Sequence, residues 1–439
     1  MFEIGRELKR FFQPAPPRDG LSLGDASLLE LLDLEFLAAE AKAADVAAGR
    51  IGVQDKPRRL IDASVVWREF ARRTGDAAAL RKAAATAEQA GRLARDAGRR
   101  HVEAQALCAQ ARAGLVGADL FAEEGLNAAA EHLLKHAAQI PEVQALKAVT
   151  AARLALGAAD PLALHAAAEA FARVLGDRRL RLCDADRAGL SLEQAEFLTG
   201  AGVRLGDTAL IGEALGVLDG LIATLDGAYN PVRLARALEL RALALVKLAE
   251  ARGDAAAALG AIEALDSALE LIQPGHSPLD WARLQHGRGL AQAALAEAGE
   301  DERSFLKALQ AFGQALGVVA KQQHLALRAM VVQDRVACLV RRAEAQGDVF
   351  ALDEAEAALR SELGNLPSPP EPVSWAVFQL NLARIYEAQA KARGRDRGER
   401  ARAAEALLAA LDVFSEAGLR SLADLAATDL DRLRETAAS

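Results

Sequence analysis

Eight marks, each a glycine followed within three residues by an aspartate, recur at a near-regular interval along this 439-residue chain. The marks are Gly75/Asp76, Gly117/Asp119, Gly157/Asp160, Gly206/Asp207, Gly253/Asp254, Gly299/Asp301, Gly347/Asp348 and Gly394/Asp396, and their glycines stand 40–49 residues apart. Each mark has the chemistry of a turn between two helices. Glycine takes the left-handed conformation that ends one helix, and the aspartate carboxylate accepts from the free amides that begin the next. A fixed period of this length points to a repeat architecture, in which one supersecondary unit is copied along the chain.

Runs before the marks, such as Leu234–Arg252 and Leu325–Gln346, are apolar at helical spacing. The runs after them share a stripe: an alanine, a large apolar residue four positions on, then apolar residues at seven and eight. Ala167/Phe171/Val174/Leu175, Ala214/Leu218/Leu221/Ile222, Ala261/Leu265/Ala268/Leu269, Ala308/Phe312/Ala315/Leu316 and Ala403/Leu407/Ala410/Leu411 all fit it. Such positions fall on one face of a helix. A helix pair with a single apolar stripe cannot close a core alone and must stack on its neighbour, which makes a solenoid. Pro141 and Pro367, each 12 residues beyond the alanine of its stripe (Ala129 and Ala355), are expected to stop second helices, and Pro231 and Pro274 to punctuate other joints.

Composition agrees. Roughly a quarter of the residues are alanine, the best helix former and a poor strand former. With 52% hydrophobic residues and a net charge of only −8, the chain has enough apolar surface to escape disorder. Cys108, Cys183 and Cys338 are an odd number of distant cysteines, which suggests free thiols rather than a disulfide framework. An acidic balance of 53 basic against 61 acidic residues gives no general pull on nucleic acid. No run approaches the length of a membrane span, and Met1–Phe12 carries charges throughout, unlike a secretory signal, so a cytoplasmic protein is the expectation.

The segmentation expected is residues 1–60 as N-terminal amphipathic and capping helices, 61–417 as about eight repeats, and 418–439 as a C-terminal cap. Leu28–Ala48 reads as a long helix. Ser421–Thr436 reads as a last helix with charges on one side.

Trp375–Tyr386 resembles the first helix of a tetratricopeptide (TPR) repeat, with Leu382, Ala383 and Tyr386 at the family's Leu, small and Tyr positions. The stripe Ala403/Leu407/Ala410 matches the second helix. Trp281–Ala291 is similar, with Gly289 at the small position, although Arg288 stands where Leu382 stands in the last unit. The periods here, mostly 46–49, exceed the family's unit of about 34 residues, so the helices are longer. The resemblance implies an all-α, right-handed superhelical solenoid of antiparallel helix pairs. It also implies a non-enzymatic scaffold or adaptor that grips a peptide or helix of a protein partner in a concave groove.

On that geometry Arg241, Gln285, Arg288, Gln333, Arg335, Gln379 and Asn381 are candidate groove residues. Amides can hydrogen-bond an extended backbone, and arginine can anchor an acidic group. As plain residues they are solvated helix surface. The N-terminal Phe2, Ile4, Leu8, Phe11 and Phe12 lie near one side of a short helix. They suit a cap over the first repeat or, in the alternative reading of the protein as a peripheral membrane or cell-envelope organiser, an anchor. His132 and His136 have ligand spacing, with Cys108 as a conceivable third donor, but two unremarkable histidines are the simpler expectation, so no metal and no cofactor are expected. The arginines of Arg178–Arg181 and Arg393–Arg402 lack interleaved aromatics, and no partner nucleic acid is expected. No phosphate loop, nucleophile elbow or CxxC motif is present.

Overall fold

The computed structural model describes residues 28–50, 52–121, 123, 125–158, 160–177, 180–299, 301–322, 325–364, 372–416 and 420–438, and among these there is no strand. Eighteen helices follow one another there: α1 Leu34–Gly49, α2 Lys56–Thr74, α3 Ala77–Asp96, α4 Arg100–Phe121, α5 Gly125–Leu134, α6 Pro141–Ala158, α7 Pro161–Gly176, α8 Asp184–Leu205, α9 Thr208–Ile222, α10 Pro231–Arg252, α11 Ala255–Leu271, α12 Pro278–Gly299, α13 Glu302–Gln322, α14 Leu325–Gln346, α15 Val349–Gly364, α16 Pro372–Arg393, α17 Glu399–Glu416 and α18 Arg420–Ala438. From α2 to α17 they form successive pairs in contact, a first helix followed by a second.

The turn chemistry is the expected one at most marks. Gly75 (φ 77°) ends α2, and the Asp76 carboxylate accepts from the amides of Ala78 and Ala79. Gly206, Gly253, Gly347 and Gly394 likewise have positive φ, and Asp207, Asp254 and Asp348 cap the helices that follow. Asp160 and Asp301 cap α7 and α13 in the same way, but Gly157 and Gly299 lie within α6 and α12 and do not take the left-handed conformation. A further mark is misread altogether by its sequence. Gly117 and Asp119 lie inside α4, not in a turn. There Gly117 makes room for the side chains of Leu80 and Leu126, and Asp119 accepts from Arg153.

Prolines act at helix starts rather than ends. Pro57, Pro141, Pro161, Pro231, Pro278 and Pro372 each occupy the first turn of a helix, where the missing amide costs no hydrogen bond. Pro141 therefore opens α6. The helix it was expected to stop, α5, ends at Leu134 of its own accord. Pro274 stands in the joint between α11 and α12, as expected, and Pro367 lies outside the described residues.

The apolar stripes of the second helices hold the pairs together. Phe171, Leu218, Leu265 and Phe312 are fully buried, and Leu407 is 1% exposed. The alanines of the stripe, Ala214, Ala261, Ala308 and Ala403, are buried just as completely. Small residues bring neighbouring helices close and the few large ones fill the space between, so burial energy concentrates on the latter.

Two compact units emerge. The first comprises Met1–Leu248, Gly260–Leu284 and Gly317–Ala326, and the second Ala249–Leu259, Gln285–Leu316 and Leu327–Ser439. A continuous core in the first runs from Ala104 through Phe171 and Phe197 to Leu240. In the second a core from Val332 to Leu433 is centred on Phe378, Tyr386, Leu407 and Phe414.

Candidate binding surface

In the first unit the first helices lie side by side and exchange charges along one wall. Arg112 of α4 donates to Asp186 at the start of α8 (2.8 Å). Arg153 of α6 donates to Asp119 of α4 (2.7 Å) and to Glu193 of α8 (2.8 Å). One turn on, Glu196 of α8 accepts from Arg236 of α10 (2.9 Å), which also pairs with Glu239 (2.8 Å). Burial pushes the Glu193 carboxyl above the ordinary carboxylate range despite Arg153. At the more exposed Glu196, desolvation along the wall is outweighed by Arg236 and Arg153, which hold the carboxyl below that range. Two carboxylates one helical turn apart thus differ in proton affinity because of the arginines they meet.

The same unit turns back on itself. Arg72 of α2 makes a bidentate pair with Asp280 at the start of α12 (2.8 and 2.9 Å). Ser277 donates to the same carboxylate (2.6 Å), and Glu69 accepts from both Arg72 and Arg73. The segment preceding α1 threads this seam. Arg73 donates to the carbonyls of Leu29 (2.7 Å) and Leu32 (2.8 Å), His276 donates through Nε2 to the carbonyl of Glu30 (2.8 Å), and Arg233 pairs with the Glu30 carboxylate (2.7 Å). Arg73 is fully buried, and these carbonyls supply the acceptors its guanidinium needs.

Beside the wall is a cavity of about 540 Å³, lined among others by Asp119, Asn127, Arg153, Phe171, Glu193 and Glu196. It borders α5, whose ten residues are fewer than in any other described helix. The buried Oδ1 of Asn127 has no hydrogen-bond partner.

The residues singled out from sequence are dispersed. Arg241 of α10, in the first unit, is half-buried and donates to Asp219 of α9 (2.7 Å). In the second unit Gln333 and Arg335 of α14 and Gln379 of α16 are half-buried. Gln285 of α12 and Asn381 of α16 are 5% and 4% exposed, so they sit within the helix packing. The Oε1 of Gln285 is buried without a partner. Arg288 is half-buried on the same helix. Also in the second unit, His286 hydrogen-bonds Asp334 (2.6 Å) and its ring lies 5.9 Å from that of Phe312.

Phe2, Ile4, Leu8, Phe11 and Phe12, with the membrane-organiser reading built on them, lie outside the described residues. His132 is exposed on α5, but that helix ends at Leu134, so His136 does not continue its face, and Cys108 is buried. Among the described residues no group of three or more His, Cys, Asp or Glu side chains is placed to hold a metal, and no helix is long and apolar enough to cross a membrane. In the Arg393–Arg402 stretch, Arg393 pairs with Asp353 and Glu399, and Arg402 stacks on the Tyr386 ring at 4.6 Å.

The charge ladder of the first unit was missed at the sequence level, yet it had a signal. Arg72, Arg112, Arg153, Glu196, Arg236 and Arg283 recur at 40–47 residues, one to each first helix. A charge repeated at the period of the fold marks the wall that faces away from the core.

No family model and no curated protein matches the chain. Solved structures do resemble it. A Rap protein complexed with competence and sporulation factor is 11% identical, with 87% of this chain and 99% of that one covered, at a TM-score of 0.49. Aspartyl phosphate phosphatase F from Bacillus subtilis is 11% identical over 96% of both chains (TM-score 0.44). A monomeric mutant of IFIT1 with m7Gppp-AAAA is 13% identical over 94% of this chain and 96% of that one (TM-score 0.43). At such identities and scores, none of the three transfers a ligand or an activity to this chain.

Proposed function

We propose that this TPR-like helical-repeat protein is a binding scaffold. It holds a peptide segment or helix of a protein partner against the faces that its first helices turn away from the core, and performs no chemistry on it. The observation that supports this reading is the wall of paired charges in the first unit, running Asp119, Arg153, Glu193, Glu196, Arg236 beside a cavity of about 540 Å³. Ion pairs of this kind can trade one partner for another on a bound chain, which gives orientation and selectivity more than raw affinity. The cavity volume falls in the range of pockets that enclose a small ligand or a few side chains. In the second unit the half-buried Gln333, Arg335 and Gln379 supply amide and guanidinium groups for a peptide backbone or an acidic side chain.

Photo-crosslinking in the native host tests this reading. A benzoylphenylalanine at Gln333, Gln379 or Glu196 captures a protein partner, whereas one at the exposed second-helix positions Phe350 or Leu408 does not. Capture only from Phe350 and Leu408 overturns the proposal.

A further inference from the structure

Arg68 of α2 is a cation without an anion. It is half-buried, and among the described residues it has neither a hydrogen-bond nor an ion-pair partner. Glu69, its neighbour in sequence, and Asp186, the carboxylates that act on it, are already engaged. Glu69 accepts from Arg72 (2.9 Å) and Arg73 (2.7 Å). Asp186 accepts from Arg112 (2.8 Å) and from the Cys183 thiol (3.2 Å), and Asp280 from Arg72 and Ser277. Burial and the neighbouring Arg112 guanidinium push Arg68 down to about 10, against the pull of Glu69 and Asp186. An arginine so placed destabilises the empty protein, because an uncompensated charge in a poorly solvated site costs free energy that an incoming anion would recover.

We propose that Arg68 anchors one carboxylate of the bound partner, an Asp or Glu side chain or a chain terminus, inside the first unit. The proposal rests on the scaffold reading and names the chemistry of what is bound. The site favours a single negative charge on a planar group. One guanidinium is in excess, and its fork matches the two oxygens of a carboxylate. Glu69 and Asp186 already bring negative charge to bear on Arg68, which disfavours a phosphate dianion or a nucleic-acid backbone.

The test uses the full chain and N-acetylglutamate α-amide, a one-carboxylate probe, with inorganic phosphate and chloride at matched ionic strength as comparisons. Arginine Nε–Hε NMR signals are followed, and the Arg68 signal is identified by its loss in Arg68→Gln. The expected result is a saturable shift of that signal with the carboxylate, at least threefold larger than with phosphate or chloride. A second readout is independent of any ligand. Arg68→Gln raises the thermal midpoint of the empty protein by about 1–3 °C, whereas removal of a merely structural arginine lowers it. Equal shifts with all three anions, a larger shift with phosphate, or a lowered midpoint overturns the proposal. Neither measurement needs the native partner, so loss of the crosslinks above would sink the scaffold reading without deciding this one, and the reverse.

Discussion

Both carboxylate oxygens of Asp280 lie within 2.9 Å of Nη1 of Arg72, a residue 208 positions earlier in the chain. Repeats usually touch only their neighbours, and stability then spreads along the row. Here a long-range ion pair fastens the first helix pair to the start of α12, and Asp280 is only 7% exposed. Removing one partner leaves the other charge poorly solvated, so Asp280→Asn is expected to cost about 3 kcal/mol, at the lower end for a buried pair because Arg72 keeps Glu69. Denaturant melts check the value. In an Arg72→Met background Asp280→Asn is expected to cost well under half as much, the sign of a direct coupling.

Gly289 and Phe312 test the packing register of the second unit. An alanine Cβ at Gly289 would come within 2.6–2.7 Å of the Cδ1 and Cζ carbons of the fully buried Phe312 ring. Gly289→Ala is expected to destabilise by about 1–3 kcal/mol through overpacking. Phe312→Ala is expected to cost about 3–5 kcal/mol through the cavity it leaves. Combined, the two should cost less than their sum, because the truncated ring makes room for the added methyl. A strictly additive pair in denaturant melts would show that the two residues do not meet.

Much of the fold was legible because helix termini write themselves in local chemistry. Gly75 and Asp76 do in the structure what a glycine and an aspartate at that spacing do anywhere. Phe171, Leu265, Phe312 and Leu407 were placed by period alone, and all are buried. Gly117 and Asp119 misled because the same two residues serve inside α4 for another reason, close packing and a cross-helix ion pair. The charged wall was less legible. Arg153 meets Glu193 forty residues away, and Arg72 meets Asp280 across five helix pairs, and neither meeting is encoded in neighbouring residues. Gln285 and Asn381 lie on first helices, but a column read one residue per repeat does not distinguish a half-buried position from a buried one.

The seam should loosen in mild acid. His276 has its proton affinity lowered by burial and by Arg73, while the Glu30 carbonyl, Asp280 and Glu69 pull the other way. A group whose folded-state pKa lies below its unfolded value contributes stability that is present above the unfolded value, near 6.5, and is lost as pH falls below it. Glu30, raised chiefly by burial, acts in the opposite sense, from its ordinary value of 4.5 upward. Between pH 7.5 and 5.5 the thermal midpoint is expected to fall, and His276→Gln to flatten that fall. A profile unchanged by the substitution would remove His276 as the cause.

Thiol chemistry offers a check on burial that needs no partner. Cys108 and Cys338 are buried, and desolvation pushes each thiol up to about 12, whereas Cys183 is only half-buried. At pH 8 iodoacetamide should label Cys183 first and leave the other two protected until the protein unfolds. Mass spectrometry of the peptides reads the order, and early labelling of Cys108 or Cys338 would contradict the packing around α4 or α14.

Hydrogen–deuterium exchange of the full chain with and without a crosslink-identified partner bears most directly on the claim that first helices do the gripping. Added protection concentrated in α4, α6, α8 and α10 of the first unit, or in α14 and α16 of the second, is the expected pattern. Protection confined to second helices such as α9, α11 and α15, with the first helices unchanged, would contradict it.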